Sequence, residues 1–256
     1  QVKQEGKSLI SLIQGNWNLF SDLNCGHKIL NEVLNQTDST ISSSEDLVDF
    51  SEEILENINY WSFLKEQLKW ERRYFTNIDT LTEDLGWDSF FESKTIVNED
   101  EEYYRARLHQ NSQEEIYPID KMSSPPAQYA SAGRANPIGI PYLYLSDNQE
   151  TILYEVRASY LDEISVAIFT KNEEYQNEII ISDFTEMRRY DSEIDYIPTQ
   201  FICEFIKIFT NVQGIKFRSS LHNTGSNLVL FNQETMKCRS VKKVQISKVN
   251  IKAREI

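Results

Sequence analysis

The sequence predicts an α+β protein in two parts: an all-helical N-terminal domain over residues 1–98 and a domain built on a mixed or antiparallel sheet over residues 99–256. Three observations predict it. Apolar residues recur at helical spacing up to about residue 98 and at strand spacing beyond it. In the second part strands outnumber helices and are joined by connections of varied length, unlike the regular alternation of a doubly wound fold. Acidic runs at residues 79–84 and 98–102 look like connections, and the second marks the junction.

In the first part, Leu9, Leu12, Ile13 and Trp17 share a helical face, as do Leu30, Val33 and Leu34, and then Ile54, Ile58, Trp61, Leu64 and Leu68. Between them, residues 37–46 (TDSTISSSED) form a polar loop holding several helix N-cap residues ahead of Leu47. In the second part strands are expected at 102–108 (EYYRARL), 141–145 (PYLYL), 165–169, 178–182, 214–219, 227–231 and 240–249. Helices are expected at 149–160 and 199–209 (TQFICEFIKIF), the latter with Phe201, Ile202, Phe205 and Ile208 inward.

A net charge of -14 argues against binding to nucleic-acid backbone, which rests on many lysines and arginines, and favours a basic partner. No apolar run is long enough to cross a bilayer. Cys25, Cys203 and Cys238 lie far apart without paired spacing, which fits a reducing cytoplasm. Cys25-Gly26-His27 offers two ligands where a structural zinc site needs four, so no metal is expected. No GxGxxG or Walker pattern occurs and no GxSxG presents a serine, while His109 and His222 stand isolated.

Residues 133–157 (GRANPIGIPYLYLSDNQETILYEVR) gather charge and turn signals in one short unit. Gly133, Pro137, Gly139 and Pro141 punctuate a loop, and the strand at 141–145 alternates ring and aliphatic. Asp147 with Glu150 three residues later reads as the N-cap and box of the following helix. That helix would set Thr151 and Glu155 four residues apart on one face, with Ile152, Val156 and Ser159 on its neighbour. Arg134 and Glu155 so flank one aromatic strand, the layout of a binding cleft; by residue type alone both also read as solvated surface charges.

Taken in order, six short patterns resemble the RES domain family over residues 102–231. They are Tyr104-Arg105, Gly133-Arg134-x-Asn136-x-x-Gly139, Tyr142-Leu143-Tyr144, Thr151-x-x-x-Glu155, Gly214-Ile215-x-Phe217-x-Ser219, and Gly225-x-Asn227 running on to Phe231. The resemblance implies an ADP-ribosyltransferase-like fold for residues 99–256. It also implies a toxin activity on NAD⁺, often as the poison of a toxin–antitoxin pair neutralised by a DNA-binding antitoxin. It carries the family's first-strand arginine to Arg105, its loop arginine to Arg134, its strand tyrosine to Tyr144, its glutamate to Glu155 and its late serine to Ser219. Thr151 keeps the hydroxyl common four residues before the glutamate, and Asn227 belongs to the last pattern. The loop departs from the family at Ala135, which stands where a tryptophan is usual. The N-terminal helices are similar in pattern and position to the HEPN-like domain of some longer members.

What the resemblance implies can be put in chemical terms. When nicotinamide leaves C1 of its ribose, positive charge builds on the sugar, and a carboxylate must face it; Glu155 has that role. Arg105 and Arg134 would take pyrophosphate oxygens, with Arg107 an auxiliary on the same strand face as Arg105. Tyr144 would stack on nicotinamide or bond a ribose, and Ser219 would bond the ribose or orient Glu155. Glu155, Arg105, Tyr144 and Ser219 are thus the catalytic candidates; Arg105, Arg134, Tyr144, Thr151, Ser219 and Asn227 are the ligand-binding ones. The expected reaction is metal-free hydrolysis or phosphorolysis of NAD⁺, in a soluble cytoplasmic protein with an antitoxin or inhibitor protein as partner and no direct contact with nucleic acid or membrane; an oligomer is compatible. The same site would serve ADP-ribosyl transfer to a protein side chain. A non-catalytic NAD-sensing or protein-interaction module is the alternative of another class.

Overall fold

The structure, a computed structural model, describes residues 2–17, 19–20, 22–91, 94–111, 115–183, 192–222 and 224–249. The chain divides into two compact units, Gln1–Glu66 and Gln67–Ile256. In the first, strand β1 (Val2–Ser8) runs into helix α1 (Leu9–Trp17), helix α2 (Leu23–Gln36) follows, and the short strand β2 (Leu47–Val48) pairs antiparallel with β1. Asp22 caps α2, its carboxylate accepting the Asn24 N–H at 3.0 Å. The polar stretch 37–46 holds no helix or strand, and helix α3 (Glu52–Trp70) begins beyond it, the division between the units falling within α3.

The expectation of an all-helical N-terminal domain is corrected by the β1–β2 pair. Residues VKQEGKS show no apolar alternation, and β2 is two residues long. Their pairing is a non-local backbone contact that no local pattern encodes.

The second unit opens with a single π-helical turn (Thr80–Asp84), where an acidic connection was expected, and a short helix α4 (Trp87–Phe90). Its sheet contains β3 (Lys94–Ile96), β4 (Tyr103–Leu108), β5 (Leu143–Ser146), β6 (Glu163–Lys171), β7 (Ile180–Asp183), β8 (Gly214–Arg218), β9 (Ser226–Leu230) and β10 (Met236–Gln245). The spatial order is β10-β6-β4-β5-β9-β8-β7-β3, and among the described pairs only β7 and β8 run parallel, so the sheet is mixed. Helix α5 (Gln149–Glu155) follows β5, and helix α6 (Ile197–Phe209) connects β7 to the parallel β8, as a parallel pair requires. The last strand starts earlier than its residues suggest, at Met236, because its polar first half pairs with β6. In α6, Ile202 and Phe205 are buried as expected, together with Cys203 and Ile206, but Ile208 is 63% exposed.

One face of the sheet packs Tyr103, Leu143, Leu145, Ala167, Phe169, Leu228 and Leu230 into the main core. A second cluster joins Ala106, Ile164 and Val166 to Ile152 of α5. The pairing between β4 and β5 is a single position, Tyr104 with Ser146, whereas β4 and β6 pair over all six residues of β4. The sheet is thus nearly split along its middle, between β4, which carries Arg105, and β5, which carries Tyr144.

Candidate functional site

The loop that follows the split is tied by one buried amide. Asn136 donates through Nδ2 to the carbonyls of Ser131 (3.0 Å), Pro137 (3.1 Å) and Ile140 (2.8 Å). Its Oδ1 accepts the Tyr144 hydroxyl at 2.7 Å, and that hydroxyl in turn accepts the Ala135 N–H at 3.0 Å. Gly133 lies so close that a Cβ there would stand 2.5 Å from Asn136 Oδ1 and 2.6 Å from the Tyr144 oxygen. From the other side α6 holds the same backbone: Thr199 donates to the Arg134 carbonyl at 2.7 Å and Gln200 to the Gly133 carbonyl at 2.8 Å. Ala135 is fully buried under this lacing. Polar contacts thus hold the loop backbone on both sides of Arg134, whose side chain reaches Glu155.

Arg134 meets Glu155 at 2.7 Å, with side-chain exposures of 18% and 12%. Its guanidinium carbon also lies 5.3 Å from the centroid of Phe217, a cation–π distance. Glu155 is the last residue of α5, which is shorter than the 149–160 expected. The chain turns immediately afterwards, with Arg157 and Leu161 in the left-handed region at φ 54° and 69°. A carboxylate at a helix C-terminus faces the negative end of the dipole, so this placement is locally unfavourable and needs a cation nearby. The helix start also differs from expectation. Asn148, not Asp147, is the N-cap, its Oδ1 accepting the Thr151 N–H at 2.8 Å. Asp147 instead clasps the neighbouring strand, exchanging bonds with Ser226 at 2.9 and 3.0 Å.

The floor under Glu155 is a single cross-strand row. Ser146 of β5 stands opposite Asn227 of β9, which stands opposite Phe217 of β8. Ser146 donates its hydroxyl to Asn227 Oδ1 at 2.6 Å, which turns the Asn227 Nδ2 toward Glu155 Oε1 at 2.6 Å. Ser219, just past β8, donates to the same oxygen at 2.8 Å. Its Oγ accepts the backbone N–H of Leu221 (3.2 Å) and His222 (3.1 Å), which folds the following turn around it.

Behind that turn, Thr151 is fully buried, its hydroxyl shared between Asn148 Oδ1 (2.9 Å) and His222 Nδ1 (2.8 Å). The His222 ring stacks on Tyr154 at 5.0 Å and 12°. Gly225 backs directly onto Thr151, so any Cβ would overlap that hydroxyl. Gly225→Ala is therefore expected to lower stability by about 1–3 kcal/mol through overpacking, read as a fall in the denaturant midpoint.

Arg105 sits in the split itself. It donates to the Tyr144 carbonyl at 3.3 Å and makes no ion pair among the described residues. Burial first, and then the charge of Arg107, bring its pKa down to about 10, with Tyr144 opposing. Burial likewise pushes the Tyr144 phenol well above its usual range, in keeping with a hydroxyl committed to Asn136. The structure thus joins Glu155, Arg134, Ser219 and Asn227 in one hydrogen-bonded cluster. Tyr144 and Thr151 stand one contact behind it, and among the described residues Arg105 is linked to it through the Tyr144 carbonyl.

Four contributors escaped the sequence reading of single residues. Asn136 and Phe217 lay inside patterns already noted, and an asparagine directly before a loop proline is a usable signal. Ser146 and His222 gave none, since only strand register and the turn after Ser219 bring them in. Among the described residues no three metal-ligating side chains gather. The chain matches the family model of the RES domain over residues 102–251, more than half its length and all of the cluster. A search of curated proteins finds no match.

Proposed function

Because the chain belongs to the RES domain family, we propose that it breaks the nicotinamide–ribose bond of NAD⁺ and so acts as an NAD-depleting toxin. The observation that supports this reading is the way Glu155 is held, nearly buried at the unfavourable end of its helix and accepting hydrogen bonds from Arg134, Ser219 and Asn227. Such a carboxylate, its position set by three donors from three separate elements, is suited to a positive charge that exists only in the transition state.

In this reading the C1–nitrogen bond of the ribose breaks and its electron pair leaves with neutral nicotinamide. Glu155 faces the cation that remains on the sugar. Water, or phosphate, then adds to C1, and when water is the acceptor its proton is lost to the carboxylate or to solvent. Ser219 and Asn227 orient Glu155. Arg134 offsets its charge, and Tyr144 works through the loop it braces. An antitoxin or inhibitor protein keeps such a toxin silent, and a basic one complements a chain of net charge -14.

The test is direct. The purified chain is mixed with NAD⁺, with and without phosphate, and nicotinamide release is followed while the sugar product is identified. Release matched to NAD⁺ loss is expected, ADP-ribose marking water as acceptor and its phosphate ester marking phosphate. NAD⁺ that survives intact with water, phosphate and protein acceptors all present would remove the reading.

A further inference from the structure

Behind the Glu155 cluster runs a row of hydrogen bonds whose direction is fixed by the groups in it. It starts at Asp147, whose carboxylate can only accept, so Asn148 turns its Nδ2 to Asp147 Oδ1 at 2.9 Å and its Oδ1 toward α5. That oxygen accepts the Thr151 N–H at 2.8 Å and stands 2.9 Å from the Thr151 hydroxyl. Two oxygens that close need a proton between them, and the hydroxyl has only one to give. Thr151 Oγ is left as an acceptor toward His222 Nδ1, 2.8 Å away, so the proton between these two belongs to the histidine. Nε2 of the neutral ring then accepts the Thr224 hydroxyl at 3.2 Å, with the Glu150 carboxylate 3.9 Å away.

The row ends at Ser219. The His222 N–H donates to Ser219 Oγ at 3.1 Å, the His222 carbonyl accepts the Gly225 N–H at 3.1 Å, and the Gly225 carbonyl accepts the Ser219 N–H at 2.9 Å. Ser219 Oγ gives its one proton to Glu155 and accepts two N–H groups, which fills its capacity. Its direction is therefore set by the turn. The His222 ring joins that turn to α5, by Thr151 at one edge and by Tyr154 across its face, and Tyr154 immediately precedes Glu155.

We propose that His222 is a positioning residue for Glu155. Held in its Nδ1–H form by the row from Asp147 through Asn148 and Thr151, its ring latches the turn after β8 onto α5 and so aims Ser219 at the carboxylate. Thr151, fully buried, serves as a link to His222 and not as a ligand contact. The proposal rests on the NAD⁺ reading above.

Two readouts on the full chain test it. In nitrogen NMR at about pH 9, where imidazoles are neutral, His222 is expected to show a protonated Nδ1 and a bare Nε2. Its signals are assigned among the three histidines by their loss in His222→Asn. In nicotinamide release, His222→Ala should lower kcat by about ten- to a hundredfold with KM for NAD⁺ within about threefold, the effect of misaiming a group without losing substrate contacts. Asparagine puts an amide N–H near the place of Nδ1 and glutamine near that of Nε2, so His222→Asn should keep most of the kcat that His222→Gln loses. In a Ser219→Ala background, His222→Ala should lower kcat by no more than about twofold further, because its effect passes through that hydroxyl. The proposal falls if the neutral ring carries its proton on Nε2, if His222→Gln recovers kcat and His222→Asn does not, or if the losses from His222→Ala and Ser219→Ala multiply. It falls equally if His222→Ala keeps kcat within about threefold of the parent. A parent with the Nδ1–H ring that releases no nicotinamide supports the relay and removes the glycosidic reading. Nicotinamide release from a parent with the Nε2–H ring does the reverse.

Discussion

Glu155→Gln is expected to lower kcat for nicotinamide release by about 10³-fold, the upper range for removing one preorganised electrostatic contact to a transition state. The substitution is nearly isosteric but reverses the logic of the cluster. Glu155 Oε1 accepts from Ser219 and Asn227, and Oε2 accepts from Arg134. A glutamine must turn its NH₂ toward one of these donors, so at least one bond is replaced by two donors facing each other. Arg134 would also lose its counter-charge at a site only 18% exposed. Stability should therefore fall by about 1–3 kcal/mol, the cost of a part-buried group left unpaired. A loss of that size leaves a folded protein, so turnover and fold can be read apart by measuring the denaturant midpoint beside kcat. NAD⁺ affinity should change less than kcat, because the carboxylate is needed most when charge appears on the ribose. A Glu155→Gln protein that turns over NAD⁺ within about tenfold of the parent would overturn the assignment of this residue.

Asn136→Ala should cost more stability than any surface substitution in the loop and should abolish activity, although Asn136 itself bonds only loop carbonyls and the Tyr144 hydroxyl. It deletes three donated bonds and one accepted bond at a position only 3% exposed. Ser131 and Ile140 are exposed enough for water to rescue their carbonyls, so the sum of four bonds overstates the cost. The Tyr144 hydroxyl is not so placed, and leaving it and one carbonyl unsatisfied costs about 2–3 kcal/mol. The functional effect follows from the same geometry. Without the amide the loop no longer fixes the direction in which Arg134 leaves it, and Glu155 loses its cation. Chemical denaturation with the nicotinamide assay checks both, and a variant with the parent's stability would show that the loop is held from the α6 side, by Thr199 and Gln200, alone.

These two substitutions also mark where the sequence was legible. Periodicity was enough to find most strands of the second unit and helix α6, because apolar alternation and a buried stripe are local properties. Ordered short patterns were enough to pick out Glu155, Arg134, Ser219 and Asn227, which gather into one cluster. They did not show how the four meet. Asp147 and Asn148 are adjacent and both can cap a helix, and only the pairing of β5 with β9 commits Asp147 to Ser226 and leaves the cap to Asn148. Helix α5 ends several residues before its local pattern suggests, since the turn at Arg157 is set by where β6 begins, not by helix propensity.

What the sequence determined by itself was therefore the family, the mixed α+β character of the second unit and a short roster of chemically capable side chains, all of them encoded in spacing along the chain. The tertiary structure decided the rest. It paired β1 with β2 against the helical expectation, lined Ser146, Asn227 and Phe217 into one row, and opened the sheet between β4 and β5 around Arg105. Each of these depends on which strand lies beside which, and in what register. That choice is made by the sum of contacts across the whole sheet, so it leaves no mark in any one stretch of sequence.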